Sequence, residues 1–482
     1  MNPILLSDSY KLSHAKQYPP GTTKVYSYFE SRGGRFPSTI FFGLQYILKK
    51  YLAPRPNGFY PVVTPADVQN AAQLAEQHFG NPHVFNRAGW DHLVRAHDGR
   101  FPVRIRAVKE GSCVPVSNVL MTVENTCPEC AWITNFLETL LVQTWYPMTV
   151  ATLSWNMKRM MRQYCEETGS HEGLLFKLHD FGYRGCSSVE SASLGGASHL
   201  TQFLGTDTLG ALALAEVYYG EACAGYSIPA SEHSTITSWG KEHEVEAFQN
   251  MLTSYPTGLV ACVSDSYDIF HACQELWGTQ LKDQILKREG TLVIRPDSGN
   301  PADTIMKCLD ILGAKFGTTL NSKGYKVLDP HVRLIQGDGV NFNSTAAILQ
   351  RMASAGWSID NIAFGMGGAL LQQLDRDTQK CAFKCSYTEV NGVGRDVWKD
   401  PITDTGKRSK RGKLALVKNN AGHYQTVSDD PSVVENELQL VFENGVLYNE
   451  TTFAEVRARS REALYEAGYP SVERTQAFTG TN

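Results

Sequence analysis

Leu174-Leu-Phe-Lys-Leu-His-Asp-Phe-Gly-Tyr-Arg-Gly185 is a short apolar run that ends in a polar, glycine-bearing tail. The same design returns at Phe203-Leu204, Leu259–Val263, Leu292–Ile294, Val332–Ile335 and Ile362–Phe364. The spacing is roughly 30 residues with one double gap, the length of a strand plus a crossover helix. Between two of the runs, Ile269, Cys273, Leu276 and Ile285 fall near one face of a helix, which Gly278 is placed to break. Alternation of strand and helix implies a parallel sheet, open or closed as a barrel. Ligands in such folds bind at the carboxyl ends of the strands, so the tails are expected to converge. They include Gly205-Thr-Asp207, Ser264-Asp-Ser266, Arg295–Asn300, Gly337-Asp-Gly339 and Gly365–Gly368.

Outward from this core the rhythm changes. Loop-like stretches occur at Gly33–Ser38 and Pro54–Gly58, and Val103–Val108 alternates with period 2. The N-terminal part reads as α+β, and the chain from about Tyr387 returns to strand and turn signals that rejoin it. The expected organisation is a mixed α+β domain from residues 1–150 and 386–482, with an α/β barrel over 151–385.

The chain has 482 residues, 42% hydrophobic, with 45 Lys+Arg against 49 Asp+Glu, a net charge of −4. That apolar share supports a packed core, and the slightly acidic balance argues against a general nucleic-acid binder. No run reaches the roughly 18–20 apolar residues of a membrane helix. Met1–Tyr10 carries Asp8 and no long apolar core, unlike a signal peptide. Eleven scattered cysteines suit reduced thiols in the cytoplasm. Cys127 and Cys130 form a Cys-x-x-Cys pair, but with no second pair at zinc-ribbon spacing they read as ordinary buried thiols.

Several segments could carry chemistry. Arg295-Pro-Asp-Ser-Gly-Asn300 offers a guanidinium fork for phosphate and a carboxylate for a hydroxyl or Mg²⁺; it also reads as a strand-end turn with a surface ion pair. Gly365-Met-Gly-Gly368 precedes a helical run and could cradle a phosphate, or be a plain turn. It is neither a Walker A loop nor a dinucleotide fingerprint. Asp338 between two glycines suits ribose hydroxyls or a tight turn. His233 could be a base, a phosphate ligand or a nucleophile toward phosphate, or a hydrogen-bonded structural residue. The cations from Lys399 to Lys418 read first as a solvated loop, and alternatively as a rim that guides polyphosphate. Phe181 and Tyr10 are aromatics in polar contexts, able to stack on a planar ring.

Taken in order, these segments resemble the nicotinamide phosphoribosyltransferases of the type II phosphoribosyltransferase family. The resemblance runs through Asp8-Ser-Tyr-Lys, Tyr26–Glu30, Lys177–Gly185, Gly205–Thr208, Glu232–Thr237, Val263–Asp268, Arg295–Pro301, Gln336–Gly339 and Lys407–Lys410. It implies an irregular (β/α) barrel, with a second mixed α+β domain built from both chain ends. It implies a homodimer with shared sites, and transfer of phosphoribosyl from phosphoribosyl pyrophosphate to nicotinamide with Mg²⁺, giving the mononucleotide. It places the pyridine ring between Phe181 and Tyr10 of the other subunit, makes Asp8 a further substrate-binding residue and sets Asp207 on the carboxamide. Arg295 would touch substrate and phosphate, and Asp297 and Asp338 the ribose and metal region. Gly337, Gly368 and Arg376 would hold the 5′-phosphate. Arg184, Lys384, Lys399 and Lys407 would meet pyrophosphate or nucleotide. His233 would be phosphorylated by ATP, supported by Asp265. The sequence departs from the family pattern at the short Ser31–Thr39 segment and at Met366, where a small residue is expected. Alternatives are a nicotinate phosphoribosyltransferase or a phosphate-binding barrel without this activity; no Schiff-base lysine supports a barrel aldolase.

Overall fold

The computed structural model describes residues 2–53, 62–403 and 408–465, the side chains of 464 and 465 excepted. The Pro54–Gly58 loop and Lys407 lie outside the described residues. The chain forms two compact units. Among the described residues, 2–152, Val217–Gly220 and Asp375–Ala463 make the first, and Leu153–Glu216 with Glu221–Leu374 make the second. Arg376 and Lys384 therefore belong with the first unit and not with the barrel stretch expected over 151–385. The reason is pairing: Cys381–Val390 lies antiparallel to Thr22–Ser31, with Lys384 opposite Tyr28. Among the described residues, no helix is long and apolar enough to cross a membrane.

The first unit is built on a seven-stranded sheet. Thr22–Ser31 sits between Cys381–Val390 and Val119–Asn125, so strands from both chain ends share one core. The period-2 pattern of Val103–Ala107 is realised as expected: Val103, Ile105 and Ala107 are buried while Arg106 is exposed. Arg104 pairs with Glu124 and Glu443 on the neighbouring strands. The short Ser31–Thr39 segment is anchored rather than loose. Arg35 N donates to Thr378 O at 2.8 Å, and Phe36 N to Gln379 Oε1 at 2.9 Å.

The second unit holds a six-stranded sheet whose strand pairs are all parallel. Its order in space is Gly205–Thr206, Leu178–Asp180, Ile362–Met366, Val332–Gln336, Glu289–Arg295 and Thr257–Val263. The two edge strands are bridged by Tyr226–Ser231, which is not a strand. Thr206 N donates to Tyr226 O at 3.0 Å, and Ser231 N to Ala261 O at 3.0 Å. The result is an irregular barrel around Ala261, Val293 and Ile335, with Phe181, Ile228 and Ala363 packed on them.

Two local expectations change. The run Leu174–Leu178 begins as a 3₁₀ turn, and the strand starts only at Leu178. Buried Lys177 explains the change: its ammonium donates to Ile359 O and Ile362 O, tying the turn to the next strand. The segment after Ile269 continues as a π-helix over Ala272–Gln280 and breaks at Leu281, not at Gly278. A Cβ at Gly278 would lie 2.5 Å from Cys273 O, so the wide turn needs glycine there.

Candidate active site

The strand-end tails meet in one cavity of about 980 Å³ within the second unit. Phe181, Arg184, Asp207, His233, Arg295, Asp297, Gly337 and Asp338 all line it. Each sits just past the carboxyl end of a barrel strand or in the bridging stretch near Ala230, so chain topology alone gathers them.

The turn carrying Phe181 is held from below. Asp180 is fully buried, and Oδ1 accepts from Gly182 N at 2.8 Å while Oδ2 accepts from Thr206 Oγ1 at 3.2 Å. Burial pushes its carboxyl up, and those donors pull the other way. Phe181 N donates to Met366 O at 3.0 Å. The ring then occupies the space over Gly365: a Cβ there would lie 1.9 Å from Phe181 Cε2. Gly365 is thus room for an aromatic ring, not a phosphate contact. Met366 is likewise a buried strand residue rather than part of an open loop. The open backbone begins at Gly367 and Gly368; a Cβ at Gly368 would meet nothing within 4 Å.

Asp207 is fixed by two residues outside the set of sequence candidates. His179 Nε2 lies 3.0 Å from Asp207 Oδ1, and Ser227 Oγ donates to the same oxygen at 2.5 Å. Burial pushes this carboxyl up, but the bonds from His179 and Ser227 and the charges of His179 and Arg295 outweigh it, holding it below its ordinary value. Among the described residues both side-chain bonds end on Oδ1, and Oδ2 takes none. His179 was visible in the quoted tail. Ser227 carries no local signal, because only the irregular bridging segment brings it here.

His233 opens a short helix, and its Nε2 lies 2.9 Å from Asp265 Oδ1. The imidazole is half exposed and the Asp265 side chain is buried. The Asp265 loop is braced by Ser264, whose Oγ accepts from Trp277 Nε1 at 3.0 Å, and Trp277 stacks on Phe248. Among the described residues, Arg295 Nε is buried without a hydrogen-bond partner, 3.7 Å from Asp297 Oδ1, and Gln336 Oε1 is also unpartnered. Such buried groups are expensive unless a ligand satisfies them. Arg184 and Asp338 are exposed on the cavity wall.

The remaining candidates lie in the first unit. Tyr10 is 56% exposed, with Lys11 anchored beneath it by Glu138. Asp8 Oδ2 accepts from Thr139 Oγ1 at 2.6 Å, which orients that turn. Lys384 is half-buried; burial lowers it below the ordinary lysine value, Glu138 opposes, and the charges of Arg32, Lys399 and Arg376 add to the lowering. These four cations therefore form one positive patch within that unit. Lys399 and Arg376 are exposed.

Comparison with known proteins gives concordant matches. Residues 176–446 match the nicotinate phosphoribosyltransferase family, and residues 2–105 match the nicotinamide phosphoribosyltransferase N-terminal domain. A nicotinamide phosphoribosyltransferase of Xanthomonas campestris pv. campestris is 53% identical, over 96% of this chain and 98% of its own. One from Acinetobacter baylyi is 35% identical over the same shares. Among solved structures, nicotinate-nucleotide pyrophosphorylase from Pyrococcus furiosus aligns over 96% of this chain and 95% of its own, with TM-score 0.56 and 15% identity. Human nicotinic acid phosphoribosyltransferase aligns over 95% and 93%, with TM-score 0.53 and 19% identity. At those identities the two structures speak to the fold alone, which is that of the type II phosphoribosyltransferases.

Proposed function

The chain belongs to the nicotinate phosphoribosyltransferase family, and from that membership we propose how its residues transfer phosphoribosyl to nicotinamide. It is a nicotinamide phosphoribosyltransferase, a pentosyltransferase of NAD salvage. Nicotinamide displaces pyrophosphate from phosphoribosyl pyrophosphate, forming nicotinamide mononucleotide.

The observation that carries the specificity is the held Asp207 carboxylate. Its second oxygen accepts from the carboxamide N–H of nicotinamide, whereas the carboxylate of nicotinate is repelled. Phe181 supplies a face for the pyridine ring. The ring nitrogen is already a free nucleophile, so no general base is needed. The transition state is oxocarbenium-like, and the main burden is charge on the departing pyrophosphate. Arg295, whose buried Nε has no hydrogen-bond partner among the described residues, and exposed Arg184 take that charge. The Asp297 and Asp338 carboxylates are hard oxygen donors beside it, a set that fits Mg²⁺. Bound there, Mg²⁺ supplies further neutralisation of the leaving group. Gly337 and Gly368 offer backbone to the 5′-phosphate.

The His233–Asp265 pair is the basis for ATP coupling. His233 takes the γ-phosphoryl group of ATP on the ring nitrogen that does not face Asp265, a P–N bond replacing the P–O bond to departing ADP, and the buried carboxylate steadies the imidazolium character of that adduct. In the proposed homodimer, exposed Tyr10 of one subunit closes the pyridine site of the other, and the patch of Lys384, Lys399 and Arg376 meets polyphosphate.

The test is an assay with nicotinamide or nicotinate, phosphoribosyl pyrophosphate and Mg²⁺, with and without ATP. Asp207→Ala should lose the preference for nicotinamide; unchanged discrimination removes this role. His233→Ala should keep basal transfer and lose ATP stimulation; full stimulation removes the phosphohistidine.

A further inference from the structure

Within the first unit, the helix Arg87–His97 packs on the short turn Pro128–Cys130. This brings His92, His97, Cys127 and Cys130 together, with ligand-capable atoms of all four within 4.8 Å of one another. Cys127 Sγ lies 3.6 Å from His92 Nε2. Both thiols are buried, and both imidazoles are partly buried. His97 Nε2 is buried and meets no hydrogen-bond partner among the described residues, a cost that a ligand at that nitrogen would remove. The surroundings disfavour an extra proton on the His97 ring and bare charge on the sulfurs. Burial and then the His92 charge hold His97 below the usual histidine value; burial and nearby Cys127 push the Cys130 thiol up.

Two sulfurs and two imidazoles are the donor set of a closed tetrahedral zinc site. His92 and His97 are separated by four residues and Cys127 and Cys130 by two, and both spacings are those of zinc ligand pairs. We propose that these four residues bind one Zn²⁺ as a structural site that the transfer reaction does not use. Zinc–sulfur bonds of about 2.3 Å and zinc–nitrogen bonds of about 2.0 Å set ligand atoms about 3.3–3.8 Å apart. The cluster needs to close by only about 1 Å at its widest to reach that. Two Zn–S bonds replace two S–H bonds and release two protons, while each imidazole enters neutral through one nitrogen lone pair. The bound site carries no net charge, which suits its burial. One of the released protons is the one Cys127 already shares with Glu129 Oε2 at 3.1 Å. A cavity of about 530 Å³ beside His92, Glu129 and Trp132 gives a path from solvent.

The ion would fasten the helix to the segment that follows Cys130. Trp90 of that helix already packs on Trp132 and Phe136 there, with ring centroids 4.7 and 5.0 Å apart. The same segment continues to Asn135, Glu138 and Thr139, which hold Lys11 and Asp8 on either side of Tyr10. Zinc would therefore stiffen the platform of a substrate-stacking residue.

The test begins with elemental analysis of the full chain purified without chelator, where one zinc per chain is expected. Metal-stripped, reduced protein is then titrated with Co²⁺. A sulfur-to-cobalt charge-transfer band and intense tetrahedral visible bands should saturate at one per chain and vanish on adding Zn²⁺. Cys130→Ser and His92→Ala should abolish both. Stoichiometric binding that survives Cys130→Ser overturns the site. So does wild-type protein that takes up neither ion, or a cobalt spectrum without the charge-transfer band, and these two results stand even where a variant fails to fold. A Cys127–Cys130 disulfide in freshly purified, zinc-free protein also overturns it, in favour of a redox pair.

Discussion

Asp207 shows how single residues set the chemistry. Its carboxyl is depressed despite burial, because His179, Ser227 and nearby positive charge favour the ionised form. A depressed carboxylate keeps its contribution above its unfolded value, about 3.9, and loses it as pH falls through the lower folded value. Discrimination between nicotinamide and nicotinate should therefore stay flat between about pH 5 and 8, measured as the ratio of kcat/KM for the two substrates. A midpoint inside that window contradicts the assignment. Gly365 makes a second case. Gly365→Ala would push the Phe181 ring aside, so KM for nicotinamide should rise about tenfold, a loss of about 1.4 kcal/mol, with circular dichroism unchanged. Asp207 was legible from its strand-end tail. The task of Gly365 was not, because a glycine's use depends on what approaches it, and Phe181 comes from a strand far earlier in the chain.

Elements carry the site by holding loops at strand ends. The loop Gly337–Gly339 runs into the helix Phe342–Ser354, whose first turn is closed by a reciprocal Asn341–Ser344 cap. Ser344 Oγ also donates to Gly339 O at 2.8 Å, so the cap and the proposed phosphate loop share one set of bonds. Asn341→Ala should cost about 1 kcal/mol in urea unfolding and raise KM for phosphoribosyl pyrophosphate with little change in kcat. A rise in neither quantity would detach the cap from the site. The strands themselves were legible, since apolar runs about 30 residues apart have few other readings. The Leu174 turn and the π-helix were not. Buried Lys177 reads as a polar interruption until the carbonyls it binds are known.

At the scale of the whole molecule, the two chain ends depend on each other through one sheet. A chain stopped at residue 374 would lose Cys381–Val390 and Gln439–Glu443 from the seven-stranded sheet. Thr22–Ser31 and Val103–Ala107 would then become bare edges, and the truncated protein should be recovered largely in the insoluble fraction. The proposed shared site has its own test. Tyr10→Ala and Asp297→Ala variants, each impaired alone, should regain part of the activity when mixed dimers form; no recovery places each site within one chain.

The sequence by itself determined the alternating barrel, the mixed sheet at its ends and most of the strand-end residues that line the cavity. Those follow from local periodicity and from the rule that loops at the carboxyl ends of parallel strands face the ligand. Only the tertiary structure decided that His179 and Ser227 hold Asp207, that Gly365 makes room for Phe181, and that two histidines of one helix meet Cys127 and Cys130. Each of these joins residues remote along the chain. Their meeting depends on how strands are ordered and which faces pack, and no local pattern of residues encodes that.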